Sequence, residues 1–173
     1  MIYLSLGSNQ GDRRSLLKQA TDLIRERVGS VVCCSPVYET EPWGTFREGE
    51  DQPFLNVVLA VETGLSPEEV LTRTQAIEKE LGRVRPQQSS RQYASRPIDI
   101  DLLLCGSTIL NSQIYTINST PSLVLPHPRM HLRRFVLQPL CDIAPQAIHP
   151  VLNKTVQQLL DECPDTSLLS CCS

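Results

Sequence analysis

Hydrophobic spacing in this chain switches back and forth between a two-residue and a 3.6-residue period, and the order of those switches narrows the folds open to it. Ile2 to Ser8 reads as a strand, ended by Gly7-Ser8-Asn9-Gln10-Gly11, with Asp12 placed to cap the next segment. Leu16, Leu17, Ala20, Leu23, Ile24 and Val28 recur at helical spacing, and Gly29 is the expected stop. Val31 to Tyr38 and Phe54 to Glu62 read as strands, joined by a long polar loop from Thr40 to Pro53. Ser66-Pro67-Glu68-Glu69 then signals a helix start, with serine at the N-cap and proline at the first helical position. That helix runs to Leu81 and stops at Gly82, and a basic loop from Arg83 to Arg96 leads into a strand from Ile98 to Cys105. A polar insertion (Asn111 to Ser122), a bend at Leu125-Pro126-His127-Pro128, a helix from Phe135, and a helix from Val156 to Cys163 complete the pattern. The order β-α-β-β-α-β with C-terminal additions predicts a ferredoxin-like α+β sandwich. One domain over residues 1–173 is expected, with a disordered tail after about residue 165.

Composition bears on function mainly by exclusion. No apolar run approaches the roughly 18 residues needed to span a bilayer, and the N-terminus has no basic flank of the kind a secretory signal carries. Seven cysteines, with no C-x-x-C spacing, indicate neither a zinc site nor a redox motif and read as reduced thiols in a cytoplasm. A net charge of -3 argues against a general nucleic-acid binder. Thirteen of the 16 basic residues are arginine, and seven of them fall between Arg83 and Arg134. Arginine's planar fork suits phosphate, so an acidic chain with this local excess is expected to bind a polyphosphate in one place.

The segment Arg96-Pro97-Ile98-Asp99-Ile100-Asp101-Leu102 carries the most chemistry. On a strand, Asp99 and Asp101 share one face, about 6–7 Å apart, while Ile98, Ile100 and Leu102 face a core. Two carboxylates so placed repel each other and favour a cation between them; hard oxygen ligands suit Mg²⁺. The alternative is a solvated D-x-D on an amphipathic strand. Arg83 and Arg85 could complement a helix C-terminus or bind phosphate. His127, fixed between Pro126 and Pro128, could present a nitrogen to a ligand or bond backbone. The Gly7 to Gly11 segment lacks a Walker ending and reads as a structural turn. Aromatic residues are 5% of the chain, and Phe54 and Phe135 could be core or could wall a planar heterocycle.

Taken together, these segments resemble the bacterial hydroxymethyldihydropterin pyrophosphokinases. The resemblance is carried by Leu6-Gly7-Ser8-Asn9, Tyr38 to Gly44, Gln52 to Asn56, Gln75 to Glu78, Gly82 to Arg85, Arg96 to Asp101, Pro126-His127-Pro128 and Arg133 to Leu137. It implies transfer of the terminal pyrophosphate of ATP to the hydroxymethyl group of a reduced pterin in folate biosynthesis. A cytoplasmic monomer with no nucleic-acid or membrane partner is expected. By that resemblance Asp99 and Asp101 hold two Mg²⁺ ions and, with Arg85 and Arg96, form the catalytic set. Gln75, Glu78, Leu102, His127 and Arg133 join Arg85 and Arg96 in binding ATP. Thr40, Pro42, Trp43, Gly44, Phe54, Asn56 and Phe135 bind the pterin, and the loops Thr40–Pro53 and Arg83–Pro97 are candidate lids. A non-catalytic ferredoxin-like module and a metal-dependent nucleotidyl transferase are the rival readings.

Overall fold

The computed structural model describes residues 1–41, 52–83, 96–111 and 123–172. In chain order these form β1 (Ile2–Ser8), α1 (Arg13–Arg27), β2 (Ser30–Cys34), β3 (Val37–Thr40), β4 (Phe54–Glu62), α2 (Pro67–Glu80) and β5 (Asp99–Cys105). The short hairpin strands β6 (Leu110–Asn111) and β7 (Val124–Leu125) come next, then α3 (Arg134–Ile143), β8 (Ile148–His149), β9 (Lys154–Thr155), α4 (Val156–Asp161) and β10 (Leu169–Cys172).

Local sequence accounts for most boundaries. Asp12 accepts a hydrogen bond from Ser15 N at the start of α1, and Ser66 and Glu69 form a reciprocal capping box at α2. Gly82, at φ 93°, supplies the left-handed residue that ends α2. Gly82 N–H then bonds Lys79 O and Arg83 N–H bonds Glu78 O, a Schellman closure. Gly29 acts differently from the expected left-handed stop. A Cβ there would lie 2.2 Å from the Glu62 carbonyl oxygen, so it is the close approach of two backbones that requires glycine.

The single strand expected from Val31 to Tyr38 is two, because Pro36 has no N–H to donate. Ser35 bridges the break: its N–H donates to Val58 O and its Oγ accepts from Val58 N. The antiparallel sheet runs β10-β3-β4-β1-β5, with β2 also paired to β4. The tail expected to be disordered is therefore corrected. Residues 169–172 add an edge strand to β3, with Leu169 opposite Thr40 and Cys172 opposite Val37.

One face of the sheet packs Leu4, Leu6, Val57 and Leu59 against Leu17, Ala20 and Ile24 of α1 and Val70 and Ile77 of α2. The other packs Val58, Leu103 and Leu104 against Val136, Leu137 and Leu140 of α3 and Val156 and Leu159 of α4. A sheet covered on one face only would leave that second set in water, at roughly 2 kcal/mol for each large side chain. The C-terminal additions thus form a third layer. A bulge opposite Tyr3 and Leu4 lets β5 serve both cores: Ile100 and Leu102 face α1 and α2, whereas Leu103 and Leu104 face α3.

Candidate active site

Among the described residues strand β5 lies at a sheet edge, where one row of its backbone groups has no strand partner. Helix α2 covers it. Leu71, Gln75 and Glu78, spaced to share one helical face, all line a cavity of about 450 Å³ beside β5. Glu78 is buried, and its Oε1 accepts from the Ile100 N–H at 2.7 Å, supplying the acceptor a neighbouring strand would have provided. The same oxygen accepts from Arg83, and Arg83 also donates to Asp99 Oδ1. Arg96 donates to Asp99 Oδ2. One carboxylate of the D-x-D pair is thereby held by two guanidinium groups.

Asp101 has a different environment. Its side chain is 41% exposed, and it faces His127, whose Nε2 lies 3.9 Å from Asp101 Oδ2. Burial pushes Asp99 upward, but the Arg96 and Arg83 cations outweigh it and hold the carboxyl below its usual range. Although its side chain opens onto the cavity, the surrounding protein walls desolvate Asp101 and push it up to about 7, with the charge of Asp99 adding to the effect. Position on a shared strand face therefore puts two aspartates with opposite tendencies side by side. His127 is pushed down to about 4 by burial, with Arg133 and Arg129 adding to the effect. Its Nδ1 accepts from Arg129 N at 3.2 Å and its own backbone N–H donates to Leu103 O, so the residue is fixed by backbone on both sides.

Across β1 from Asp99 the lining includes a neutral amide. Gly7 pairs with both Asp99 and Asn56, which puts the acidic strand and the amide in one row across the sheet. Asn56 is buried and donates through Nδ2 to Thr40 Oγ1 at 2.8 Å. Phe54 and Phe135 line the same cavity. The buried Arg133 sets its guanidinium carbon 5.6 Å from the Phe135 ring centroid.

Of the residues singled out from sequence, Thr40, Phe54, Asn56, Gln75, Glu78, Arg96, Asp99, Asp101, Leu102, His127, Arg133 and Phe135 all line this one cavity. Leu102 does so while also contributing to the helix-side core. Pro42, Trp43, Gly44 and Arg85 lie outside the described residues, as does most of the Asn111–Ser122 insertion. Sequence reasoning passed over Ser5 and Gly7, which share the lining. It also undervalued Arg83, whose link to Asp99 needs the tertiary approach of α2 to β5. Gly7 earns its place by proximity: a side chain there would meet Asn56 Oδ1 at 3.1 Å.

A mixed α/β fold with one pocket whose lining combines carboxylates and arginines with two phenylalanines and a buried amide suits an enzyme joining a polyphosphate to a flat polar ring. The chain matches the family model for 7,8-dihydro-6-hydroxymethylpterin-pyrophosphokinase over residues 3–145. It is 47% identical over 150 residues to the 2-amino-4-hydroxy-6-hydroxymethyldihydropteridine pyrophosphokinase of Porphyromonas gingivalis, covering 87% of this chain and 94% of that protein. The Bacillus subtilis protein of the same name is 40% identical over 148 residues, covering 84% and 79%. Among solved structures, wild-type Plasmodium falciparum HPPK-DHPS with STZ-DHP superposes at TM-score 0.71 and 17% identity. That match covers 93% of this chain but 42% of that one, so this chain spans less than half its length, and the likeness bears on the fold alone. The chain belongs to the 7,8-dihydro-6-hydroxymethylpterin-pyrophosphokinase family.

Proposed function

We infer that this protein transfers pyrophosphate from ATP to 6-hydroxymethyl-7,8-dihydropterin. The pterin hydroxyl oxygen bonds to the β-phosphorus of ATP, the bond from that phosphorus to the α–β bridging oxygen breaks, AMP leaves with that oxygen, and the hydroxyl loses its proton. The single observation that carries the reading, beside family membership, is the mixed lining of one pocket: Asp99, Asp101 and Arg96 on or beside β5, Asn56 and Phe54 on β4 across β1, and Phe135 on α3.

Transfer of this kind needs alignment and charge neutralisation more than covalent participation. Arg96, His127 and Arg133 would lie against the triphosphate, and Gln75 and Leu102 against the rest of the nucleotide. Phe54 and Phe135 would hold the pterin between them, with Asn56 reading its edge. Glu78 lines the pocket, but its carboxylate is engaged by Ile100 N–H and Arg83. Asp99 and Asp101 fit Mg²⁺ as hard carboxylate ligands on one strand that line the cavity, so a divalent ion here would take two carboxylates and complete its shell with phosphate and water. Two such ions, when bound, would offset triphosphate charge and polarise the β-phosphorus.

The strand order β3-β4-β1-β5, with α1 and α2 on one face, supports a ferredoxin-like core extended by α3, α4 and β10. The continuous sheet from β10 to β5 supports a single domain, and seven free thiols suit a reducing cytoplasm.

Product analysis with ATP, Mg²⁺ and the pterin tests the reaction. AMP is expected only with pterin present; ADP, or no turnover by folded protein, would refute it. Asp99→Ala should nearly abolish turnover while leaving the fold intact, and full activity in that variant would remove the metal assignment.

A further inference from the structure

The turn between β1 and α1, a structural turn by sequence, joins through one side chain two segments that lead into the pocket lining, at Arg96 and just before Phe54. Asn9 is 2% exposed. Its Oδ1 accepts from Arg96 N–H at 2.7 Å, and its own backbone N–H donates to Arg96 O at 3.2 Å. Both backbone groups of residue 96 are thus gripped by residue 9, as a paired strand would grip them. The side-chain amide donor, Nδ2, points to Gln52 O at 3.3 Å. Gln52 lies two residues before Phe54 and four before Asn56, whereas Arg96 reaches Asp99. A second anchor stands nearby, at the start of α1: Arg13 donates to Pro53 O at 2.7 Å and pairs with Glu39.

We propose that Asn9 is a positioning residue that ties the entrance of the pterin-facing strand to the phosphate-facing Arg96. This inference rests on the pyrophosphokinase reading above. An amide side chain is what the place demands. Arg96 N–H needs an acceptor, Gln52 C=O needs a donor, and asparagine carries both on one rigid plane. Aspartate offers acceptors alone, and serine is too short to span the two segments. A buried side chain with such divided duties fixes the separation of the two half-sites, and alignment of the reacting atoms depends on that separation.

The test uses the full chain in the AMP-release assay, with wild type alongside. No AMP from wild type would sink the pyrophosphokinase reading itself; the Asn9 inference is judged on a working wild type. Asn9→Ala should lower kcat by 10- to 100-fold per folded molecule. In an Arg96→Ala background, the same substitution should cost several-fold less in kcat than in wild type, because the share that passes through the Arg96 side chain is already gone. Arg13→Ala, which loosens the same entrance through Pro53, should combine multiplicatively with Arg96→Ala. A purely structural Asn9 would behave as Arg13 does, and that result overturns the proposal, as does wild-type kcat in Asn9→Ala. Should Asn9→Ala fail to fold, Asn9→Asp takes its place, keeping the acceptor for Arg96 and losing the donor to Gln52. It should weaken pterin binding at least fivefold and leave affinity for a non-hydrolysable ATP analogue within twofold. Equal loss for both ligands would overturn the assignment.

Discussion

Replacing Glu78 by alanine removes a carboxylate that α2 inserts beneath the edge of β5. The substitution leaves the buried Ile100 N–H without the acceptor now at 2.7 Å, a loss of about 1–3 kcal/mol for a buried donor. It also takes one of two carboxylates from Arg83, whose side chain is 13% exposed. Removing one member of a buried pair costs roughly 3–5 kcal/mol, but Arg83 keeps Asp99, so about 2 kcal/mol is a fair share here. The sum is about 4 kcal/mol, equivalent to a fall in Tm on the order of 10 °C for a chain of this size. Glu78→Gln keeps a carbonyl for Ile100 and loses the charge facing Arg83, so it should recover about half of that deficit. Chemical denaturation at constant pH measures both variants. The activity of the folded fraction should fall at least tenfold in Glu78→Ala, because Arg83 and Asp99 lose their shared anchor. An alanine variant within about 1 kcal/mol of wild type would refute the view that this carboxylate holds α2 to β5.

Three other outcomes are expected from particular contacts. Gly7→Ala puts a Cβ 3.1 Å from Asn56 Oδ1 and 3.7 Å from Phe54 at a residue with no left-handed backbone, so the fold should survive while KM for the pterin rises severalfold; unchanged pterin kinetics would count against Asn56 as a pterin contact. Ser66→Ala breaks the capping box of α2 and should cost about 1 kcal/mol by denaturant titration, with kcat unchanged. Asp165 accepts from Arg134 N–H at the start of α3 and from Ser167 N–H, each at 2.9 Å. Burial pushes its carboxyl upward, but the Ser167 hydroxyl and these amides outweigh it and hold the group below its ordinary value near 3.8. Its stabilising contribution is therefore complete above that value and is lost as pH falls through the lowered one; Asp165→Asn should flatten the acid limb of a stability–pH curve, and an unaltered limb would exclude Asp165 as a cap.

Much of the fold was legible in local sequence because its causes are local. Period-2 and period-3.6 spacing, the Ser66 capping box, the Asp12 cap and the turn at Gly82 each act within a few residues of where they are written. The face shared by Asp99 and Asp101 is equally a property of one strand, and so was the clustering of arginine downstream of α2. What the chain could not declare was which distant segments meet. The tail at residues 169–172 carries no strong strand pattern, and it is ordered by the hydrogen-bonding row that β3 leaves open. The third layer arises because β4 is apolar on both faces, a demand that α3 and α4 meet from more than 70 residues away. Arg83 read equally well as a helix terminus until the Schellman turn brought it against Asp99, 16 residues on. Asn9 read as part of a turn, and its hold on Arg96 spans 87 residues. Local sequence determined which residues carry charge, aromatic surface and turn geometry; tertiary packing decided which are buried together, and burial is what makes a hydrogen bond or a charge decisive.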